Sequence, residues 1–380
     1  MPTLEQQVAA LPAALRARLD ARGFDASRLG AWATGVGKDV DAKNRIGGSV
    51  APPEPSDIAD LPPEGSPERA RLHDLGARAL ASGEVALCVL AGGMATRMGG
   101  VVKALVDALP GKTFLDLRLG ENEKLAELAG RPVPLWLMTS EATDAKLRAA
   151  LGPHLDGEHV STFEQFVSLR LTPAGDLFRD ADGEPSVYAT GHGDLPDALA
   201  KSGLLAKFRA RETAGKKVVV IANIDNLGAT VDPVVVGFHL AHGAPLTVEL
   251  VDKVGGDKGG GPVRWNGRPV VVEEFRLPLG FDPKTVPVFN TNTFLVDADA
   301  LAKLDLAWTY VEVLKKSDGA DAVQYERLLG EITTGLPGRM LRVPRAGVAS
   351  RFLPVKDMDE LERRRPEIDA IARARGLVRA

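Results

Sequence analysis

Val85-Ala86-Leu87-Cys88-Val89-Leu90-Ala91-Gly92-Gly93 is a run of apolar residues that passes without a break into paired glycines. Its length and Val content favour a strand over a piece of buried helix. A strand that is apolar at every position is covered on both faces, as in a parallel sheet. Similar runs occupy 133–138, 217–222, 246–251 and 288–296, with helical patterns between them. Together they predict an α/β chain built on a mainly parallel sheet flanked by helices. Val263–Val270, with Asn266-Gly267 at its centre, carries the short hairpin signal and predicts an antiparallel insertion.

Outward from this centre the pattern changes. Ser66 followed by Pro67 predicts an N-cap and first helical position for a helix over Pro67–Ala81. Leu4, Val8, Leu11, Leu15 and Leu19 recur every three or four residues, which predicts one amphipathic helix over 4–19. Residues 48–66 are rich in Pro, Gly and Ser and lack periodicity. They read as a surface connector. Arg363-Arg364-Arg365 is interleaved with Glu360, Glu362 and Glu367 and reads as a solvated helical face.

Composition narrows the class. The 380 residues are 44% hydrophobic and 26% charged, enough for a sizeable core. Lys+Arg 47 against Asp+Glu 51 leaves a formal charge of −4, which argues against general nucleic-acid binding. The single Cys88 excludes an internal disulfide and a multi-cysteine zinc site. No apolar stretch approaches the roughly 20 residues that span a bilayer, and the N-terminus lacks a signal-peptide plan. The expectation is a soluble, cytoplasmic protein with no membrane partner.

Five stretches carry polar chemistry. Leu90–Lys103 sends a strand into Gly92-Gly93, then Thr96-Arg97, Gly99-Gly100 and Lys103. Such glycines let backbone N–H groups approach phosphate oxygens, although a tight turn with two surface cations has the same composition. Its spacing matches neither the Walker loop nor the dinucleotide fingerprint, and the latter mismatch argues against a dinucleotide oxidoreductase. Gly191-His192-Gly193-Asp194 sets a histidine between glycines, as on a ligand-facing loop. Asn223-Ile224-Asp225-Asn226 follows a buried run. Asp225 there is either a Mg²⁺ ligand beside phosphates or a helix cap. Asn290 and Asn292 interrupt an apolar run and suit sugar hydroxyls or structural hydrogen bonds. Lys356 ends Ser350–Lys356, and by itself would be a surface residue. Asp180-Ala181-Asp182-Gly183 reads as a turn, Asp297 as a helix cap, and the histidines at 154, 159, 239 and 242 lack metal-ligand company.

In this order and spacing the stretches resemble the eukaryotic-type UTP–glucose-1-phosphate uridylyltransferases, over roughly residues 84–360. Gly111-Lys112-Thr113-Phe114-Leu115-Asp116-Leu117, Asn223–Asp232, Lys258-Gly259-Gly260 and Arg351-Phe352-Leu353-Pro354-Val355-Lys356 add to the likeness. The resemblance implies a Rossmann-like nucleotidyltransferase fold of the glycosyltransferase-A kind. It divides the chain into an N-terminal helical segment and linker (1–83), a catalytic domain (84–350) and a C-terminal segment with a lysine and a helix (351–380). It further implies that UTP and a sugar 1-phosphate, with Mg²⁺, give a UDP-sugar and pyrophosphate. By that resemblance Leu90, Ala91, Gly92 and Gly93 lie along the nucleotide and Met138 and Gln165 meet the uracil. Gly191 lies near the base. His192, Asn223 and Gly259 face the sugar phosphate, while Glu273, Asn290 and Asn292 suit sugar hydroxyls. Asp225 holds the metal, and Lys103, Arg97 and Lys356 meet the reacting phosphates.

Leu90-Ala91-Gly92-Gly93 with Thr96-Arg97 is similar to the loop of N-acetylhexosamine 1-phosphate uridylyltransferases, and Val101-Val102-Lys103 stands where the glucose family has Gly-Pro-Lys. From the resemblance as a whole, glucose 1-phosphate is the first expectation. N-acetylglucosamine 1-phosphate, or a broad range of sugars, is the alternative, with a non-catalytic UTP or UDP-sugar sensor behind both. The chain ends soon after Lys356, so the family's C-terminal left-handed β-helix is not expected. A monomer or small homo-oligomer is.

Overall fold

The computed structural model describes residues 2–95, 98–255, 257 and 259–378. Eight strands form the central sheet: β1 (Ile58–Asp60), β2 (Val85–Leu90), β3 (Leu135–Thr139), β4 (Val160–Glu164), β5 (Val218–Asn223), β6 (Leu246–Asp252), β7 (Val288–Asp297) and β8 (Gly338–Arg342). Their spatial order is β1-β8-β6-β7-β5-β2-β3-β4. Every neighbouring pair is parallel except the two that involve β7, which runs against both β5 and β6. All five expected runs are strands of this sheet, and the mixed, mostly parallel α/β architecture is the one foreseen.

Alternation explains why the runs are apolar throughout. Val85, Leu87 and Val89 face one apolar layer with Val218 and Val220, under the helices Pro67–Ala81, Phe114–Ala129, Pro233–His242 and Met358–Ala374. Ala86, Cys88 and Leu90 face the other with Val219, Ile221 and Phe294, under Leu195–Lys201 and Leu204–Arg209. Successive side chains point to opposite faces, so a sheet covered twice needs apolar residues at every position. Burial pushes the Cys88 thiol well above its ordinary pKa, as for an inert core residue.

Local signals are met at several places. Ser66 caps the Pro67–Ala81 helix by accepting from Arg69 N. Gly260–Trp265 and Arg268–Glu273 form the hairpin, with Asn266 at φ 49° and Gly267 at φ 80°, the signs a type I′ turn requires. Residues Met358–Ala374 are a helix whose Arg364 and Arg365 pair with Glu360 and Glu362 at 3.0 Å. Asp180 Oδ1 accepts from the backbone of Asp182 and Glu184, closing a turn.

Three expectations are corrected. The 4–19 helix is two helices, Leu4–Ala9 and Ala13–Ala21, because Pro12 cannot continue the first. The 48–66 connector contains β1, which pairs in parallel with β8 and is fixed by Arg342 on Asp60. Asp297 precedes a helix but its carboxylate does not cap it; it bonds Lys216 and His239 instead. The N-terminal helices bury Val8, Leu19 and Leu29 against Val167, Leu169 and Tyr325. Among the described residues, no helix is long and apolar enough to cross a membrane.

Candidate active site

The carboxyl ends of β2 and β5 lie side by side, with Leu90 opposite Asn223, and β3 adds Met138 opposite Leu90. Because β7 is antiparallel, it brings its first half to the same end of the sheet: Ile221 pairs with Phe294 and Leu250 with Asn290. Four of the five chemical stretches therefore converge through topology and strand register, including Ser350–Lys356, which docks on the Asn223–Asp225 turn.

At the centre, Lys103 Nζ lies 2.6 Å from Asp225 Oδ2, and the Val355 N–H donates to the same oxygen at 3.3 Å. Asp225 is nearly buried. A short ribbon makes the reach possible. Met94–Ala95 pairs with Val101–Val102, and the Lys103 N–H returns to the Gly93 carbonyl at 3.2 Å. Lys356 follows Val355 directly and is exposed. Against burial, which works the other way, the hydrogen bonds from Arg345 and the Val254 N–H, then the charges of Arg345 and last of Lys356, hold the Asp257 carboxyl below the usual range. Arg97 lies outside the described residues, as does Lys258.

An amide chain borders this cluster. Asn292 Nδ2 donates to Asn223 Oδ1 at 2.9 Å, and Asn292 N–H to Asn290 Oδ1 at 3.0 Å. Asn292 has φ 57° and the register slips between Val248 and Leu250. Such irregularities re-aim side chains beside sites.

On the β3 side, Gly93 is exposed and Gly92 half-buried, while Ala91 is buried with its N–H on the Met138 carbonyl. Gly92 lets its neighbour approach closely: a Cβ there would fall 2.2 Å from Gln165 Oε1, so that amide would have to move aside. Ser140 Oγ fixes the Gly92 carbonyl at 2.8 Å. Met138 has 1% of its surface exposed and packs its side chain with Leu90 and Phe163, so it supports this floor from inside the core.

His192 and Glu273 stand apart from the lysine–carboxylate centre; among the described residues no hydrogen bond joins either to it. His192 Nδ1 accepts from Leu329 N–H at 2.9 Å, and burial lowers its pKa, so the ring is neutral with Nε2 carrying the proton. The flanking glycines have a packing reason. A Cβ on Gly191, at φ 103°, would lie 2.5 Å from the Arg327 carbonyl. Glu273 lies on the hairpin beside Gly259 and Gly260, where burial raises its carboxyl pKa.

Sequence reasoning missed what holds the Asn223–Asp232 turn. Arg118 is wholly buried and donates to the carbonyls of Asn223 (2.7 Å), Asn226 (2.6 Å) and Ala229 (3.2 Å), while pairing with Glu121 at 2.6 Å. Arg351 pairs with buried Glu249 and donates to the Thr230 carbonyl. Asn226 bridges to the Arg351 carbonyl and the Leu353 N–H. The signal was available. Arg118 and Glu121 interrupt the buried stripe Phe114, Leu117, Leu125 of one helix.

The donor set suits a metal that phosphates complete. Among the described residues there is no group of three or more His, Cys, Asp or Glu that could hold an ion. Asp225 Oδ2 takes both hydrogen bonds, and Oδ1 accepts none from the described residues. Mg²⁺ typically binds through one or two carboxylates plus phosphate oxygens and water, so a single carboxylate with an open oxygen fits.

Residues 54–364 match the model of the UTP–glucose-1-phosphate uridylyltransferase family. A UTP–glucose-1-phosphate uridylyltransferase from Astragalus penduliflorus is 30% identical over 324 residues, 81% of this chain and 65% of that protein. One from Saccharomyces cerevisiae is 29% identical over 73% of this chain and 58% of its own length. The match thus spans just under two thirds of the plant relative and less of the yeast one. Among solved structures, a uridine diphosphate N-acetylglucosamine pyrophosphorylase from Trypanosoma brucei, in complex with an inhibitor, aligns with TM-score 0.75 and 22% identity, over 94% of this chain and 79% of that one. A UDP-glucose phosphorylase from the same organism aligns with TM-score 0.69 and 20% identity, over 93% and 75%. At these identities the likeness is one of fold. With the sheet, the Asn223–Asp232 turn and this match over most of its length, the chain belongs to the UTP–glucose-1-phosphate uridylyltransferase family.

Proposed function

We propose that this chain transfers the uridylyl group of UTP to a sugar 1-phosphate, first of all glucose 1-phosphate, giving a UDP-sugar and pyrophosphate. The meeting of Lys103, Asp225 and the Val355-Lys356 backbone at the carboxyl ends of β2 and β5 carries this reading. A phosphate oxygen of the sugar attacks the α-phosphorus of UTP. The bond from that phosphorus to the bridging oxygen breaks, and pyrophosphate leaves with the electron pair. The nucleophile is already an anion, so no strong base is needed.

The difficulty is to bring two polyanions together. Like charges at about 4 Å repel by several kcal/mol at intermediate dielectric. Lys103, now on Asp225, turns to the UTP phosphates as they arrive, and Lys356 meets the reacting phosphates from the opposite segment. Asp225 would hold Mg²⁺, which supplies charge neutralisation between the phosphates. The exposed backbone of Gly93 lies along the nucleotide, with Gln165 toward the uracil and Met138 beneath. Neutral His192 offers Nε2–H to the sugar phosphate. Asn223, Asn290, Asn292, Gly259 and Glu273 line the sugar side. Such positioning is where catalysis of phosphoryl-type transfer resides.

N-acetylglucosamine 1-phosphate is the second reading, favoured by the Leu90–Gly93 loop with Thr96-Arg97. The test is pyrophosphate release from purified protein with UTP, Mg²⁺ and a panel of sugar 1-phosphates, with TTP as the nucleotide control. Turnover with UTP and glucose 1-phosphate is expected. Absence of turnover with every sugar would sink the reading.

A further inference from the structure

Arg375 closes the Met358–Ala374 helix and turns back onto two segments at once. Its guanidinium reaches the Gly228 carbonyl and Thr230 Oγ1 (3.0 Å) on one side, and the carbonyls of Ser350 (2.6 Å) and Val348 (3.2 Å) on the other. The first pair belongs to the turn that presents Asp225. The second lies at the root of the strap that ends in Lys356.

The geometry of the strap gives this bond set its meaning. Residues 350–356 run from the Arg375 guanidinium to the Val355 contact on Asp225. The helix begins immediately afterwards, with Asp357 as N-cap, and returns the chain to Arg375. The strap is therefore held at both ends, by the site at one and by Arg375 at the other. Contact between strap and turn is close: a Cβ on Gly228 would lie 2.7 Å from the Arg351 carbonyl carbon. Of the other ties, Arg118 joins its own helix to the turn alone, and Arg351 joins the strap to β6 and to the turn. Arg375 alone among the described arginines at this turn comes from a third element and grips both.

Its partners differ in kind as well. Arg118 and Arg351 each have a carboxylate, Glu121 and Glu249. Arg375 donates only to carbonyls and a hydroxyl among the described residues. A fork with five N–H donors can serve four such oxygens; an ammonium with three cannot.

We propose that Arg375 is a positioning residue: it fixes the relative register of the Asp225 turn and the Lys356 strap. The proposal rests on the functional reading above for what that register achieves. Misplacing reacting groups by about 1 Å lowers rates about 100-fold. A cavity of about 250 Å³, lined by Thr230, Val348, Arg351 and Arg375 among others, adjoins the guanidinium. Small cations can therefore enter a vacated site.

The experiment compares wild type, Arg375→Ala, Arg375→Lys and the control Arg373→Ala, whose target pairs with Asp369 on the exposed face. In the pyrophosphate assay Arg375→Ala should lose about 10- to 100-fold in kcat with the KM for UTP within about threefold. Added guanidinium ion should restore part of that loss, Arg375→Lys should fall between, and Arg373→Ala should match wild type. Hydrogen exchange gives a readout independent of turnover. In Arg375→Ala the amides of 224–231 and 351–355 should exchange about tenfold faster together, with those of β2 unchanged. Unchanged kcat, a loss that guanidinium does not relieve, or unchanged exchange overturns the positioning role. If wild type itself makes no UDP-sugar, the functional reading fails while exchange still decides the tie.

Discussion

β2 and β5 end side by side, yet the chain leaves them in opposite ways. After Leu90 it becomes a glycine-rich ribbon, fixed near its base by the Lys103–Gly93 bond and by Lys103 on Asp225. After Asn223 it becomes a buried turn whose carbonyls are held by Arg118, Arg351 and Arg375. On the proposed reading, the ribbon would offer backbone N–H groups to the phosphates, and the buried turn would keep a carboxylate where those phosphates arrive. The turn is pre-organised by its arginines, as electrostatic catalysis requires.

That contrast can be broken from either side. Arg118→Leu removes the buried anchor and leaves the Glu121 carboxylate without its guanidinium, held by the Val231 N–H. We expect a loss of about 3–5 kcal/mol in unfolding free energy, read by urea denaturation. A loss below about 1 kcal/mol would show that the turn does not depend on it. Lys103→Ala, on the ribbon, should behave conversely: kcat/KM falls about 10²- to 10³-fold while the urea midpoint moves little. Asn226→Ala removes two buried bridges to the strap. It should cost about 1–3 kcal/mol of stability and lower kcat as well.

The smallest effect concerns acid. The turn leads into the Pro233–His242 helix, where burial, then the neighbouring His239, lowers the His242 pKa to about 4. A histidine depressed in the folded state takes up its proton more readily when unfolded, so stability is lost as pH falls from about 6.5 towards 4. His242→Gln should flatten the dependence of the urea midpoint between pH 7 and 5. An unaltered slope would remove His242 from the account.

How much of this was legible follows from burial. The five central strands read clearly because both faces are covered, so 85–90 and 218–222 show no polar interruption. The three strands left unread, β1, β4 and β8, lie at or next to the sheet's edges and carry polar residues such as Ser161, Thr162, Glu164, Arg339 and Arg342. In the site, Asp225 and Asn292 announced themselves as polar residues inside apolar runs. Arg118 and Glu249 also stand as charges within apolar patterns, but the turn carbonyls and the Arg351 guanidinium that they bond do not show in the sequence, and Arg375 gives no sign of its role. Gly191 was legible as unusual but for another reason, since the Arg327 backbone fills the space beside it.

The most direct test of the proposed reaction centre is Asp225→Asn, which keeps the side-chain shape and its acceptor for Val355 while removing the charge. Steady-state pyrophosphate release with UTP, Mg²⁺ and glucose 1-phosphate should fall at least about 10³-fold in kcat/KM, with an unfolding midpoint near that of wild type. A folded Asp225→Asn protein turning over within about threefold of wild type would contradict the account.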